Sequence, residues 1–161
     1  RMKKRPPEPL TKDEVLRLIH ACGHGICGAR DRALISVLWR SGLRCAEALS
    51  LQAKDVIRKV DGTTIHVRHG KGDKSRVVAL DPSASAWLDQ WIEIRGGKVW
   101  SSYGFCRIRR KNGKQSEKLT TGAVRKLLQR LAKKAGIDLI EVSVAALFLA
   151  VAYRIYKGTT K

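Results

Sequence analysis

Acidic residues are scarce in this chain of 161 residues. Its 14 Asp and Glu stand against 33 Lys and Arg, which gives a formal net charge of +19. An excess of this size goes beyond what solubility requires and is typical of proteins that neutralise phosphates. Nucleic acid is therefore the first partner to expect. A solvated basic surface or a membrane-surface patch is the alternative, but the sequence offers no basic amphipathic anchor helix for the membrane version.

Cysteine is too sparse to organise the fold. Cys22, Cys27, Cys45 and Cys106 are irregularly spaced, and the N-terminus does not resemble a signal peptide. We therefore expect no disulfide framework and a reducing, cytoplasmic location. The first two of these cysteines and His24 suggest zinc, but their spacing lacks a second ligand pair. We predict a glycine-rich loop with incidental thiols, without metal or cofactor.

Long hydrophobic runs are missing too. The apolar stretch 142–156 is shorter than the roughly 18 residues that a membrane span needs, and Arg154 interrupts it. We predict a core helix there and no membrane partner. Proline is nearly confined to residues 1–10, which are also rich in Lys and Arg. That segment is predicted to be an extended basic arm or linker, and residues 11–161 to be one domain with its own core.

Helical periodicity dominates the rest of the chain. Thr11 and Glu14 have the spacing of a capping box, which predicts a first helix over 11–22. Glycines are expected to end it, namely Gly23, Gly25 and Gly28. The same periodicity predicts further helices over 31–41, from about 44 to 51, over 81–96, and from 120 or 121 to 136. The tryptophans of the 81–96 helix are interpreted as core residues.

Three short segments rich in Val, Ile and Thr predict strands at 55–60, 63–68 and 76–80. Asp61-Gly62 predicts a hairpin turn between the first two. A further strand is predicted at 99–105, followed by a basic loop.

Two lysines, Lys71 and Lys74, lie with Gly70 and Gly72 at the predicted tip of the second hairpin, and Arg68 and Arg76 flank that tip. Lysines at turns are commonly only solvated. Here the glycines allow a close approach to a ligand backbone, so the four cations predict a cluster that faces phosphate.

Three segments resemble the catalytic domain of tyrosine recombinases, the family of phage integrases and Xer-type resolvases. Residues 30–34, Arg-Asp-Arg-Ala-Leu, and 41–49, Ser-Gly-Leu-Arg-Cys-Ala-Glu-Ala-Leu, are similar to the family's R-D-R-A-L and T-G-L-R-x-x-E-L motifs. Residues 70–80 are similar to its G-K-G-x-K-x-R-x-V-P-L hairpin, and 119–138 to the helix before its second active-site box. The resemblance covers about 11–152.

The resemblance implies an α+β fold, mostly helical, with a small antiparallel three-stranded sheet. It implies binding of double-stranded DNA in site-specific recombination, without metal or nucleotide, by a bacterial or phage-encoded protein associated with the nucleoid. Members of the family assemble as tetramers on DNA, and we expect this chain alone to be monomeric.

The resemblance also assigns roles to residues. Arg44 would be the first catalytic arginine, which donates to phosphate oxygens, and Lys71 the general acid that protonates the departing oxygen. The expected DNA-binding residues are Arg68, Lys74, Arg76, Arg109, Arg125 and Lys126.

The second box departs from the family pattern. Ala145, Phe148 and Leu149 occupy positions where H-x-L-R-H has its two histidines and an arginine, and none of these side chains can donate to phosphate. The family's nucleophilic tyrosine would follow after the last residue, and Tyr153 and Tyr156 come too early for that role. The sequence therefore predicts a C-terminally truncated catalytic domain that binds DNA without cleaving it.

Two alternatives remain open. One is a non-catalytic DNA-binding or assembly module derived from a recombinase. The other is an unrelated basic RNA-binding domain, although the predicted strands lack the aromatic pairs that stack on single-stranded RNA bases.

Overall fold

A computed structural model describes residues 10–68, 75–96, 103–108 and 115–138 of the chain. The α-helices in this part are α1 (Lys12–Ala21), α2 (Ile26–Ser41), α3 (Cys45–Leu49), α4 (Pro82–Ile94) and α5 (Thr121–Ala135). The strands are β1 (Val56–Lys59), β2 (Gly62–Val67), β3 (Arg76–Ala79), β4 (Cys106–Ile108) and β5 (Gln115–Lys118), and a 3₁₀ turn (Ala53–Asp55) precedes β1. The expected mostly helical α+β architecture is confirmed.

The predicted capping box starts α1. The Thr11 hydroxyl accepts a hydrogen bond from the Glu14 N–H at 3.2 Å, and the Glu14 carboxylate accepts one from the Thr11 N–H at 2.7 Å. Both bonds satisfy N–H groups that the helix itself leaves unpaired. The buried side chains of Val15, Leu18 and Ile19 face the core.

The start of α2 differs from the prediction. Gly25 is its N-cap and Ile26 its first residue, so the helix begins five residues earlier than Asp31 and Gly28 lies in its first turn. Gly28 therefore does not end α1. A Cβ at Gly28 would lie 1.6 Å from the Gly23 carbonyl oxygen, so close packing rather than chain reversal requires glycine here. At the other end Gly42 adopts φ 65°, which allows the predicted sharp turn toward α3.

The predicted three-stranded sheet is present and antiparallel, in the order β1-β2-β3. Ile65 lies at the centre of the inner face, with Val56 and Val78 as its neighbours across the two ladders. Alternate residues of β2 are buried, namely Thr63, Ile65 and Val67. The same register places Arg76 beside Val67 on the inner face, at the end of the sheet.

Helix α4 begins with the expected Asp-Pro cap, in which the Asp81 carboxylate accepts from the Ala84 N–H at 2.8 Å. It packs against α2, and its residue Trp91 is fully buried. The indole N–H of Trp91 donates to the Gly104 carbonyl at 3.0 Å, so its one polar atom is satisfied. The interpretation of Trp91 as a core residue is confirmed.

The predicted strand at 99–105 is wrong for the residues that the structure describes there. Strand β4 begins at Cys106 and pairs with β5, so Arg107 belongs to a strand and not to a loop. Residues 103–104 instead join the segment after α3, where the Gly104 N–H donates to the Leu51 carbonyl at 2.7 Å. Their backbone bonds are thus made with a distant segment, which a local pattern does not reveal.

Helix α5 has the two faces that its sequence predicts. Its buried residues include Val124, Leu127, Leu128 and Leu131, and Gly136 ends it at φ 67°. The helix packs on α1, and two cations tie the helices together: Arg17 donates to the Ala135 carbonyl at 3.2 Å, and Lys134 to the Ala21 carbonyl at 2.9 Å.

Within the described ranges, no helix has the length and apolar character to cross a bilayer. The basic arm and the apolar stretch 142–156 fall outside the described residues, apart from Leu10.

Candidate nucleic-acid interface

Arg44 lies where α2 turns into α3. It is the N-cap residue of α3, with extended backbone at φ −65° and ψ 149°, and its side chain is 51% exposed. The turn at Gly42 and the buried Leu43 fix the backbone on one side, and α3 fixes it on the other. Arg44 therefore has a fixed base and a guanidinium that reaches solvent.

Glu47 is the acceptor around which this corner is organised. Its side chain is only 6% exposed, and it accepts from the Arg44 N–H at 2.8 Å. Arg76 donates to both of its oxygens, from Nη1 at 3.0 Å and from Nη2 at 2.8 Å. The hydrogen bonds from Arg76 are the main reason why the pKa of Glu47 lies below its ordinary value of 4.5, and the Arg44 backbone adds to the effect.

The guanidinium of Arg44 is engaged more loosely. Its Nη1 lies 3.7 Å from the Glu47 carboxylate, which is an ion-pair distance but too long for a hydrogen bond. Because Arg76 already donates to both oxygens of Glu47, the donors of Arg44 remain available to a ligand. Arg44 and Glu47 lie three positions apart in the sequence, but no local pattern indicates that Glu47 is shared with Arg76 of β3.

Arg68 is bound in the same way. Its Nε donates to the Asp55 carboxylate, whose side chain is 6% exposed and which also accepts from the Gln52 N–H at 2.9 Å. Both arginines expected to flank the hairpin tip are thus paired with buried carboxylates, while 46% of Arg68 and 40% of Arg76 stay exposed.

A groove of about 340 Å³ runs between α3, the 3₁₀ turn and β2. Its polar lining residues include Glu47, Ser50, Gln52, Lys54, Asp55, His66 and Arg68. Its lining contains both acidic and basic side chains, so the groove has mixed charge.

Lys118 enters this region from β5, and sequence reasoning did not single it out. Its ammonium donates to the Ser50 hydroxyl at 2.8 Å and lies 5.0 Å from the centre of the Tyr103 ring. Ser50 follows the last residue of α3. Lys118 and Ser50 are 68 positions apart in the chain, so their contact carries no local sequence pattern.

Arg125 and Lys126 are exposed on the outer face of α5, as predicted. Helix α5 also touches α3, so both helices belong to one packed unit. The other expected site residues lie outside the described residues: Lys71, Lys74, Arg109, Ala145, Phe148 and Leu149.

The first two residues of the Arg-Asp-Arg-Ala-Leu segment have a structural role. Arg30 and Asp31 are both buried, and Arg30 donates to the Asp31 carboxylate at 2.6 Å and to the Cys106 carbonyl at 3.0 Å. Burial raises the pKa of Asp31, and Arg30 opposes that rise. The pair ties α2 to β4 and lies away from solvent.

The thiols show no ligand arrangement. Cys22 is buried and donates to the Leu18 carbonyl, and burial raises its pKa to about 12. Cys27 is exposed, and all four cysteines are free. Among the described residues, no group of three or more His, Cys, Asp or Glu side chains is arranged to hold a metal ion.

Comparison with known proteins places the chain in a family. The model of the phage integrase family matches residues 8–147. The tyrosine recombinase XerA of Thermococcus kodakarensis is 34% identical over 132 residues, which cover 82% of this chain and 44% of that protein. The tyrosine recombinase XerC of Vibrio campbellii is 38% identical over 96 residues, or 58% of this chain and 29% of that protein.

Solved structures agree with this. The crystal structure of XerA recombinase superposes with a TM-score of 0.77 at 26% identity, covering 100% of this chain and 55% of that one. XerH site-specific recombinase bound to its difH substrate, in a pre-cleavage complex, gives a TM-score of 0.75 at 27% identity, covering 100% of this chain and 46% of that one. The chain spans less than half the length of the two curated relatives.

Proposed function

The chain belongs to the phage integrase family, and on that premise we propose that it binds the backbone of duplex DNA as part of the catalytic domain of a site-specific tyrosine recombinase. Membership in this family removes the alternative of an unrelated RNA-binding domain. XerH is bound to DNA in the structure that resembles this chain. The net charge of +19 supplies the long-range attraction that such a partner requires.

The observation that carries the proposal is the arrangement of Arg44 on Glu47. A buried carboxylate fixes the backbone of Arg44 at 2.8 Å, while Arg76 neutralises that carboxylate. The side chain of Arg44 is therefore positioned while its guanidinium donors stay available to a ligand. A guanidinium held in this way can give paired, charge-assisted hydrogen bonds to two non-bridging oxygens of one phosphate.

In the family's reaction a tyrosine hydroxyl attacks the scissile phosphate, and negative charge grows on the non-bridging oxygens. Arg44 is proposed to stabilise that charge. Lys71 is proposed as the general acid, since an ammonium can give up a proton to the departing oxygen and a guanidinium hardly can.

The remaining cations divide into two groups. Arg125 and Lys126, exposed on α5, are proposed to contact backbone phosphates directly, together with Lys74 and Arg109. Arg68 and Arg76 are proposed to add positive potential, because each is already paired with a buried carboxylate, Asp55 or Glu47. Off DNA we propose a monomer, whereas an assembly on DNA would follow the tetramers of the family.

A second candidate function is a DNA-binding or assembly module without cleavage activity. It is favoured by the box at 145–149, where Ala145, Phe148 and Leu149 occupy the positions of two histidines and an arginine. None of the three can donate to a phosphate oxygen. We propose that this chain binds DNA but does not cut it.

Competition binding tests the proposal. A labelled DNA duplex is bound to the chain and challenged with unlabelled duplex or with single-stranded RNA of equal length. Duplex is expected to compete at lower concentration, because Arg44 and α5 are fixed on a rigid scaffold that suits a regular helix. RNA that competes better than duplex would contradict the proposal.

Two variants of equal charge locate the binding surface. Arg44→Ala is expected to weaken duplex binding about tenfold, or ~1.4 kcal/mol. Arg58→Ala is the control, because Arg58 lies on β1 in surface ion pairs with Asp89 and Glu93. Equal loss in both variants would mean that Arg44 contributes only bulk charge.

A further inference from the structure

We propose that Lys118 binds a backbone phosphate of the DNA, as a second fixed cation beside Arg44. The proposal rests on the proposed function, and it names a contact that neither the motifs nor the family match assigns. Three observations support it. They are the contacts that hold Lys118, its position relative to Arg44, and the absence of a carboxylate among its contacts in the described part of the chain.

Lys118 is held by neutral groups. Its ammonium donates to the Ser50 hydroxyl at 2.8 Å and lies 5.0 Å from the centre of the Tyr103 ring. An ammonium carries more donors than this one bond uses. The ring attracts the cation and restricts its chain without neutralising it.

The neighbouring arginines are different. Arg76 and Arg68 each donate to a carboxylate that is almost fully buried. Within the described part of the chain, the contacts of Lys118 include no carboxylate. Lys118 is a partly buried cation whose contacts among the described residues are neutral, and its side chain is already ordered. It therefore loses little entropy when it meets a phosphate.

The position of Lys118 links it to Arg44. Arg44 is the N-cap of α3 and Ser50 its C-cap, so the two cations approach opposite ends of a five-residue helix. Such a helix is about 7.5 Å long. Glu47 and Ser50 also line the same groove. Two cations separated on this scale can contact different phosphates of one DNA strand.

The chain beyond Lys118 adds to the positive field. Thr120, two residues later, is the N-cap of α5, and the first turn of α5 contains no acidic residue. The positive end of the helix dipole therefore lies beside Lys118, and no carboxylate of that turn offsets it. An anion near the ammonium is attracted by the charge of Lys118 and by the dipole of α5.

The competing explanation is that Lys118 only ties β5 to α3. Substitution of a purely structural lysine would lower stability but leave the salt dependence of DNA binding unchanged. Loss of a phosphate contact lowers the salt slope by about one unit for each ion pair removed. The slope therefore separates the two roles.

The test compares Lys118→Gln with Lys59→Gln, a control of equal charge at the exposed end of β1. Affinity for a short DNA duplex is measured over a salt series by fluorescence anisotropy. We expect Lys118→Gln to bind at least about threefold more weakly than Lys59→Gln. Its plot of log affinity against log salt should be less steep than that of wild type by about one unit. Lys118→Arg is expected to retain the wild-type slope.

The outcomes are distinct. Equal affinity and slope in Lys118→Gln and Lys59→Gln would overturn the Lys118 proposal and leave the proposed function intact. A wild-type chain that fails to bind duplex would overturn the proposed function itself. If Lys118→Gln loses its cooperative thermal transition, Lys118→Met replaces it, since its aliphatic chain can still pack on Tyr103. A lowered slope in Lys118→Met supports the proposal, and a wild-type slope overturns it.

Discussion

At the scale of single residues, two buried acids organise the cations of the site. Glu47 and Asp55 are each 6% exposed in their side chains, and each fixes one arginine, Arg76 in β3 and Arg68 directly after β2. In a chain with so few acidic residues, these carboxylates decide which guanidinium groups are used internally and which face solvent. Arg44, loosely paired with Glu47, is the one that the site leaves available.

Replacing Glu47 should destabilise the protein in a pH-dependent way. Its pKa is lower in the folded chain than its ordinary 4.5, mainly because of Arg76. The stabilisation is therefore complete above the ordinary pKa and is lost as pH falls through it toward the folded value. We expect Glu47→Gln to lower the free energy of unfolding by about 1.5–3 kcal/mol near neutral pH, measured by urea denaturation.

The same measurement carries its own control. The difference between wild type and Glu47→Gln should narrow below a pH of about 4.5. Glu93→Gln, at an exposed ion pair with Arg58, should change stability by less than about 1 kcal/mol. A Glu47→Gln variant as stable as wild type at neutral pH would show that the carboxylate is not structural.

The sequence located Arg44 but not its surroundings. The order Gly42-Leu43-Arg44 places an arginine at a turn into a helix, and this is local information. The sharing of Glu47 with Arg76 joins residues 29 positions apart, and the bond from Lys118 to Ser50 joins residues 68 apart. Such contacts depend on how the sheets pack on α3, so composition and spacing could not predict them.

At the scale of elements, several helix ends were predictable because they carry local chemistry, whereas the start of α2 was not. Thr11 and Asp81 cap α1 and α4, and Gly136 ends α5, each through bonds or backbone angles within a few residues. The β4-β5 pair was not predicted, since its ladder is irregular and short and its partner strand follows a basic loop. Extended segments take their partners from the tertiary fold.

The first turn of α2 gives a prediction at this scale. We expect Gly28→Ala to destabilise the protein by about 1–3 kcal/mol, because the new methyl group would overlap the Gly23 carbonyl. Gly122→Ala is the matched control in the first turn of α5, where the nearest atom lies 3.9 Å away. There the better helix propensity of alanine should stabilise by up to about 1 kcal/mol. Thermal denaturation of both variants checks the opposite signs.

Equal changes in stability for Gly28→Ala and Gly122→Ala would contradict the explanation that close packing requires glycine at the start of α2. If Gly28→Ala were neutral, the loop at Gly23 would have to move without cost, and close packing would not explain the glycine.

At the scale of the whole molecule, the altered box predicts binding without chemistry. We expect no covalent adduct with a suicide DNA substrate that traps phosphotyrosine, examined on a denaturing gel. The change to Phe148 removes donors of a type worth on the order of 3 kcal/mol each in preorganised sites, and Arg44 and Lys71 cannot replace them. Neither Tyr153 nor Tyr156 is expected to act as nucleophile, since neither stands at the family position.

An adduct that mapped to Tyr153 or Tyr156 would overturn the alignment of the 145–149 box. A trace of nicked DNA without an adduct would instead indicate a contaminating nuclease. An Arg44→Ala sample prepared in parallel would then nick the DNA to the same extent.

A salt titration of duplex affinity tests whether a fixed basic surface of this chain binds the phosphate backbone of duplex DNA. With the available cations on α3, β5 and α5, counterion release predicts that affinity falls at least about tenfold between about 50 and 200 mM salt. We expect log affinity to fall linearly with log salt at that steepness. Affinity that stays level over the same range would contradict it.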